Sequence, residues 1–292
     1  MIALLCSILA STSIFVIFKI FPKFKIDTFQ AIVFNYITAF VAGIILFGHT
    51  FNSNSLSQGN WIFHCLMASI LFISLFLVMG ISSQRNGVAQ TSIAVKMSMA
   101  LSVVLILFFF NNTKESISIS LVLGFVLAIT GVFLSSFEKK ATNDNRTASW
   151  MLIVLFIGSS LLDLLLKYVE SNETQHISPA LFSAFGLGCA GLIGLIIFLI
   201  RVIQGKTQFE LRNVWAGILL GIPNYFSIYL LMLSYSSTGW NSSAVLAITN
   251  VSVVLLTSII GFSIFLEKIT PLKIIGLIAA IGAILLIYYA NS

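Results

Sequence analysis

A single lysine inside an apolar run is the first residue in this sequence that could do chemistry. Lys96 lies in SIAVKMSMALSVV, residues 92–104, and no aspartate or glutamate occurs within ten residues on either side. A charge within a membrane span is costly, and such residues mark substrate or ion pathways. Three interpretations of Lys96 stay open: a counter-ion for Asp163, a binding group for an anionic substrate, or a neutral amine that faces water.

The second candidate is an acid in another apolar run. Asp163 is followed four residues later by Lys167, a spacing that places both side chains on one face of a helix. One interpretation is a local ion pair in which Lys167 extends toward the membrane surface. The other is a titratable site that couples transport to protons or other cations. We therefore assign Asp163 and Lys167 as candidate coupling-ion residues.

Uncharged polar residues in apolar runs complete the candidate set. Pro223 interrupts one run in GIPNYFSIYL, where a proline removes a helical hydrogen bond and favours a kink. Buried amides either join helices or contact substrate, and both interpretations stay open. Together with Lys96, the predicted substrate-binding residues are Asn35, Asn224, Tyr225 and Asn250.

The chain offers no set of residues that would make it an enzyme. It has three histidines, no HExxH motif and no paired aspartates inside a span, so we expect no catalytic residue, metal or cofactor. Its three cysteines lie in apolar runs without paired spacing, which predicts neither a disulfide framework nor a thiolate metal site.

The composition identifies the solvent in which these residues must lie. Of 292 residues, 59% are hydrophobic and 8% are charged, against about 25% charged in a soluble domain. The mean hydropathy is +1.07. We therefore predict an all-α integral membrane protein. The net charge of +6 does not indicate nucleic-acid binding, because the basic residues concentrate in short loops.

A span needs about 20 mostly apolar residues, and ten runs meet that requirement. MIALLCSILAST is taken as the start of the first span, because it lacks the basic region of a signal peptide. The polar segment 138–148 divides the chain into residues 1–137 and 149–292. The predicted spans are residues 2–20, 29–48, 61–81, 87–110, 117–137, 149–169, 179–203, 214–235, 241–265 and 271–289.

The two halves align with each other at two offsets. An offset of 148 pairs Lys19 with Lys167, and an offset of 152 pairs Glu115 with Glu267 and Gly124 with Gly276. Because five spans are an odd number, the second half would enter the membrane in the opposite orientation. We therefore predict two inverted five-helix repeats, an architecture of many secondary transporters.

Basic residues are distributed unequally between the two sides of the predicted bundle. One side carries twelve lysines and arginines, and the other carries Lys114 and Lys167. The positive-inside rule then places both termini outside the cytoplasm, in the plasma membrane if the cell is bacterial.

Ten spans, two halves and an E-x₈-G step into the last helix of each half resemble the drug/metabolite transporter superfamily, EamA type. The steps are Glu115 to Gly124 and Glu267 to Gly276, the second in FLEKITPLKIIG. The resemblance implies transport of a small metabolite by alternating access. Members of that superfamily mostly place both termini in the cytoplasm, opposite to the charge count.

We expect a secondary transporter for a small amphipathic anion, such as an amino acid or organic acid, with protons as a possible coupling ion. The partners would be that small molecule and the lipid bilayer, with no nucleic acid. A multidrug or cation exporter of the same superfamily is the alternative, followed by a membrane-embedded enzyme. No repeated carbonyl-presenting loop of an ion-channel filter is present.

The orientation can be tested with single cysteines at positions 52 and 143 in a variant without native cysteines. The charge count predicts that an impermeant thiol reagent added outside intact cells labels position 52 and spares position 143. Labelling of position 143 alone would place the termini in the cytoplasm instead.

Overall fold

A computed structural model describes residues 1–51, 59–109, 119–136, 143–173, 175–237, 242–268 and 270–291. In this part of the chain the regular structure is helical, and no residue is in a β-strand. Glu115 and the first five residues of the predicted linker, 138–142, lie outside the described residues. The α-helices are α1 Ile2–Ile20, α2 Thr28–Phe47, α3 Trp61–Arg85, α4 Val88–Phe109, α5 Ile119–Ser136, α6 Asn143–Asn172, α7 Pro179–Ile203, α8 Leu211–Ser237, α9 Ser242–Ser263 and α10 Pro271–Asn291.

The protein is an integral membrane protein with all-α structure. Seven helices in the described part of the chain are long and apolar enough to cross a membrane, namely α1 to α3 and α6 to α9. Apolar segments of α5 and α10, Val122–Gly131 and Pro271–Leu286, are shorter. Large apolar side chains such as Ile45, Ile70 and Ile278 are exposed on the outside of the bundle, where lipid is their natural solvent.

Local sequence signals explain several helix ends. The Asp27 carboxylate accepts a hydrogen bond from the Gln30 amide, and the Ser178 hydroxyl accepts one from the Leu181 amide. These side chains satisfy amide groups that have no partner in the first turn of a helix. A proline, which has no amide hydrogen to leave unpaired, begins α7 and α10.

The boundary between the two predicted halves differs from the sequence prediction. Segment 138–148 was predicted to be a polar linker, but α6 begins at Asn143 and includes its last six residues. The physical reason is that NDNRTA contains neither proline nor glycine, so no residue in it stops the helix from extending beyond the apolar run.

Close helix packing depends on glycine where helices cross. A Cβ atom at Gly217 of α8 would lie 2.5 Å from Phe34 Cβ and 2.6 Å from the Ala31 oxygen of α2. At Gly131 of α5 it would lie 3.1 Å from the Gly276 oxygen of α10. The absence of a side chain therefore allows the backbones of α2 and α8, and of α5 and α10, to approach each other.

Helix α4 lies inside this bundle. It packs against α3, α5, α6, α9 and α10, and also contacts α1. Most of its described residues are buried, including several serines and a threonine. The helix that carries Lys96 is therefore surrounded by protein, and its polar side chains face neighbouring helices.

Candidate functional site

The candidate site is built around the middle of α4. Lys96 is the ninth residue of that helix, about 12 Å from its start at 1.5 Å per residue. Its side chain is partly buried, and the preceding and following turns are almost entirely enclosed. Lys96 therefore lies deep in the bundle, too far from the helix start for its stem to reach the membrane surface easily.

Asp163 of α6 faces α4. The Ser102 hydroxyl lies 2.7 Å from Asp163 Oδ2 and donates to it. The same hydroxyl also lies 2.9 Å from the backbone oxygen of Ser98, so its single proton has two possible acceptors. Ser160, one turn before Asp163, donates to that oxygen at 2.9 Å. A short polar network thus joins α4 to α6 beside the acid.

Lys96 and Asp163 interact electrostatically across the α4–α6 interface. Lys96 is the largest charged contributor to the electrostatic environment of Asp163, and Asp163 has the same role for Lys96. Opposite charges in a site with little water interact more strongly than in bulk water. Of the three interpretations of Lys96, this interaction favours a counter-ion for Asp163.

Lys167 lies one turn beyond Asp163 but differs in environment. It is exposed, whereas Asp163 is partly enclosed and directed toward Ser102 and Lys96 of α4. Asp163 and Lys167 therefore lie on the same helix, as predicted, but the described partners of Asp163 lie on α4. The spacing of residues along one helix contains no information about this tertiary contact.

Asn35 and Asn224 form a second polar contact, between α2 and α8. The Asn224 Nδ2 group donates to Asn35 Oδ1 at 3.2 Å, next to the proline of α8. Both residues are buried, and Asn35 Nδ2 has no hydrogen-bond partner. A buried amide donor without a partner is unfavourable, and this one is available to an acceptor on a ligand or a water molecule.

Tyr225 does not join the Asn35–Asn224 contact. Consecutive residues of a helix point about 100° apart, and the Tyr225 ring stacks on Tyr229 with 6.4 Å between centroids. The two rings line a small apolar cavity of about 10 Å³ between α2, α7 and α8, with Phe47 and Leu187. A cavity of that volume holds at most one water molecule and no metabolite.

Asn250 of α9 also contacts α4. Its Nδ2 group lies 3.3 Å from the sulfur of Met99, one turn after Lys96. Nearby, the hydroxyls of Ser92 and Thr257 are 2.6 Å apart and join the same two helices. The polar residues of α4 thus contact α6 on one side and α9 on the other, and Lys96 lies between these contacts along the helix.

In the described residues, no group of three histidine, cysteine, aspartate or glutamate side chains is arranged to hold a metal ion. Near the start of α3, His64 Nδ1 lies 3.7 Å from Glu173 Oε1. His64 stacks near Tyr168, with 5.0 Å between ring centroids.

Comparison with known proteins gives one informative relative. An uncharacterized protein of Haemophilus influenzae is 30% identical over 298 aligned positions, which cover 99% of this chain and 98% of that protein. The chain belongs to the family of that protein. No family model matches the sequence.

The chain shares its fold with a protein of known structure. A protein of known crystal structure matches 98% of the chain and 99% of its own length, with a TM-score of 0.59 and 10% sequence identity. At that identity the likeness shows the fold alone, so function has to be argued from the residues of this family member.

Sequence reasoning missed the residues that hold Asp163 in place. Ser102 and Ser160 are ordinary small residues in apolar runs, and no spacing rule distinguishes them from serines that only pack. Their role depends on the crossing of α4 and α6, which is visible only in three dimensions. The buried acid itself was the signal that such partners must exist.

A double-mutant cycle tests the contact between Lys96 and Asp163. Each of Lys96→Met and Asp163→Asn leaves one enclosed charge without its partner. The two single changes should therefore lower the free energy of unfolding by more in total than the double variant does. We expect a coupling free energy of about 0.5–3 kcal/mol, from denaturant unfolding in mild detergent.

The matched control combines Asp163→Asn with Lys167→Met. An i, i+4 pair on a helix surface contributes about 0.2–0.5 kcal/mol, so this coupling should be the smaller of the two. Additive effects of Lys96→Met and Asp163→Asn would contradict the assignment.

Proposed function

We propose that the protein is a secondary transporter that moves a small metabolite across the plasma membrane by alternating access. The observation that carries this proposal is the enclosed network of Lys96, Asp163 and Ser102 between α4 and α6. Charges inside a membrane protein are expensive and mark substrate or ion pathways. In this proposal the helices form ten spans in two inverted five-helix repeats, as in the EamA-type drug/metabolite transporters.

The helix contacts support two equivalent halves. If α1 to α5 correspond to α6 to α10, the pair α1–α8 corresponds to α6–α3, and α2–α8 corresponds to α7–α3. The two helices of each of these four pairs pack against each other extensively. The pairs α2–α7, α4–α9 and α5–α10 correspond to themselves, and all three are in contact. Such a contact pattern is what two superimposable repeats packed around a pseudo-two-fold axis would produce.

The two charged residues depart from this internal symmetry. At the repeat offsets, Ile248 corresponds to Lys96 and Phe15 corresponds to Asp163. Ile248 is 39% exposed and Phe15 is 3% exposed, so one equivalent lies on the outside of the bundle and the other in the core. The shared fold therefore does not require either charge, and their presence favours a specific function.

The chemistry of the site favours a zwitterion. A lysine ammonium and an aspartate carboxylate on neighbouring helices complement a molecule that carries one carboxylate and one ammonium. An amino acid has these groups. A substrate that exchanges ion pairs with Lys96 and Asp163 would restore their charge compensation during transport.

A cation exporter is the second candidate within the same superfamily. Asp163 alone would bind a cationic drug, but the ammonium of Lys96 beside it opposes a second positive charge. An enzyme is the remaining candidate, and beyond the contact of Ser102 with Asp163 the site gives it no support.

Ser102 allows Asp163 to stay hydrogen-bonded in both protonation states, which suits a residue that carries a coupling proton. With an ionised carboxylate, Ser102 donates to Asp163. With a protonated carboxyl, Asp163 donates to Ser102, and the serine proton turns to the Ser98 oxygen at 2.9 Å. Both states are fully hydrogen-bonded without movement of heavy atoms. In the charge-neutralised state, Lys96 is left with an uncompensated charge that an anionic group of the substrate can pair.

Transport in proteoliposomes tests this function. With an equimolar mixture of radiolabelled amino acids as the probe, the wild type should accumulate label when a pH gradient is imposed. Asp163→Asn should abolish this accumulation while keeping exchange of internal for external amino acids, because an amide cannot carry the proton.

Glu210→Gln is the matched control, because that carboxylate pairs with Arg212 at an exposed position. It should keep both activities. Absence of amino acid uptake by the wild type in either direction, with protein shown to be folded and inserted, would reject the proposed substrate class. Equal loss of accumulation and exchange in Asp163→Asn would assign this residue a structural role.

A further inference from the structure

Glu267, in the turn between α9 and α10, contacts the start of a helix other than its own. Its Oε1 atom accepts a hydrogen bond from the Val88 amide at the first residue of α4, at 2.8 Å. Lys19, at the end of α1, lies 3.7 Å from the same oxygen. The carboxylate thus lies at the positive end of α4 and next to a cation, both of which stabilise it.

The backbone around the carboxylate is adapted to hold it. Gly87 has φ of +101°, and a Cβ atom there would lie 2.5 Å from Glu267 Oε2. At the helical Gly261 it would lie 2.7 Å from the same atom. Leu266, directly before Glu267, has φ of 51°, a conformation that an L-residue rarely adopts. Strained backbone next to a buried charge is typical of functional sites.

Lys19 also contacts a third helix, α3. Lys19 Nζ also donates to the Gln84 backbone oxygen of α3 at 3.1 Å, and Gln84 Nε2 donates to Thr28 Oγ1 of α2 at 2.8 Å. The ends of α1 and α3, the starts of α2 and α4, and the α9–α10 turn are therefore joined at one face of the bundle. We call the contact of Glu267 with Lys19 and the Val88 amide the latch.

We propose that the latch holds this face of the transporter closed and opens when the opposite face closes. This inference rests on the proposed function, because it assumes that α1 and α4 move relative to the α9–α10 turn during transport. The latch joins helices of the first half to a turn of the second half. It consists of polar groups that are partly accessible, with side chains of Lys19 and Glu267 20% and 11% exposed, so water can replace each contact on opening.

A packed contact would behave differently. At the α5–α10 crossing, backbone atoms of the two helices are in close contact through Gly131. Such a contact has no solvated alternative and suits helices that move together. The polar latch therefore suits a contact that breaks during transport. The packed α5–α10 crossing suits a contact that persists.

The accessibility of a buried position below the latch measures its state. Ser258 of α9 is 2% exposed and hydrogen-bonds within its own helix, so Ser258→Cys is a mild reporter. The background carries Cys6→Ser, Cys65→Ser and Cys189→Ser. An impermeant thiol reagent is applied to each face of reconstituted vesicles in turn, without any substrate, and the labelling rate is measured.

Two independent changes should open the latch. Glu267→Gln removes the charge, and Gly261→Ala inserts a methyl group where the carboxylate lies. Both should raise the labelling rate from the latch face by about tenfold, the range expected for loss of a charge-assisted hydrogen bond. Gly282→Ala is the matched control, because its Cβ would meet nothing nearer than 3.9 Å. It should leave the rate unchanged.

The double charge reversal, Lys19→Glu with Glu267→Lys, distinguishes opening of the latch from unfolding of the protein. It removes the match between Glu267 and the start of α4, so labelling should stay high even in protein with wild-type thermal stability. Unchanged labelling in folded Glu267→Gln and Gly261→Ala would overturn the latch, even if the protein transports amino acids. Increased labelling in a protein that transports no amino acid would support the latch while rejecting the proposed substrate.

Discussion

The structure depends on how two opposite charges are kept inside a membrane protein. An aspartate or lysine at the centre of a lone helix costs about 2.5–3.5 kcal/mol on insertion scales. Lys96 and Asp163 reduce that cost because their opposite charges interact between α4 and α6, and Ser102 donates a hydrogen bond to the acid. This arrangement requires α4 to lie inside the bundle, and the packing of α3, α5, α6, α9 and α10 around it meets that requirement.

Small residues make this arrangement possible. Serines at positions 98 and 102 of α4 and 160 of α6 allow the two helices to approach while their hydroxyls bond to backbone oxygens. Glycines have the same effect at the α2–α8 and α5–α10 crossings. The interior therefore combines close packing with a few polar contacts, which suits helices that hold a polar ligand and still separate from each other.

The sequence predicted much of the helical architecture because apolar periodicity and composition report on the solvent of each segment. It also identified Lys96 and Asp163 individually, because each is costly where it lies. It offered both Lys96 and Lys167 as partners of Asp163 and could not choose between them, since that contact depends on how two distant helices cross. The sequence placed Glu267 in a step into the last helix, but its carboxylate lies at the start of α4, for the same reason.

Adjacent residues show a second limit of sequence reasoning. Asn224 and Tyr225 were both assigned to the substrate-binding set, and they have different neighbours: Asn224 bonds to Asn35 and Tyr225 stacks on Tyr229, because a helix turns neighbouring side chains apart. Segment 143–148 was predicted to be a loop from its polarity, although polarity alone does not end a helix. Composition is not sufficient to predict local structure where tertiary contacts or the absence of helix-breaking residues determine it.

The most direct test of the central claim is ligand binding by purified protein, followed as thermal stabilisation against a set of amino acids, organic acids and cationic drugs. The account predicts that zwitterionic amino acids at about 100 times their dissociation constant raise the midpoint of the wild type by about 5 °C. Lys96→Met should lose this stabilisation, and Lys23→Met, whose ammonium lies over the Phe265 ring near the end of α9, should keep it. Equal stabilisation of wild type and Lys96→Met, or stabilisation by cationic drugs alone, would contradict the account.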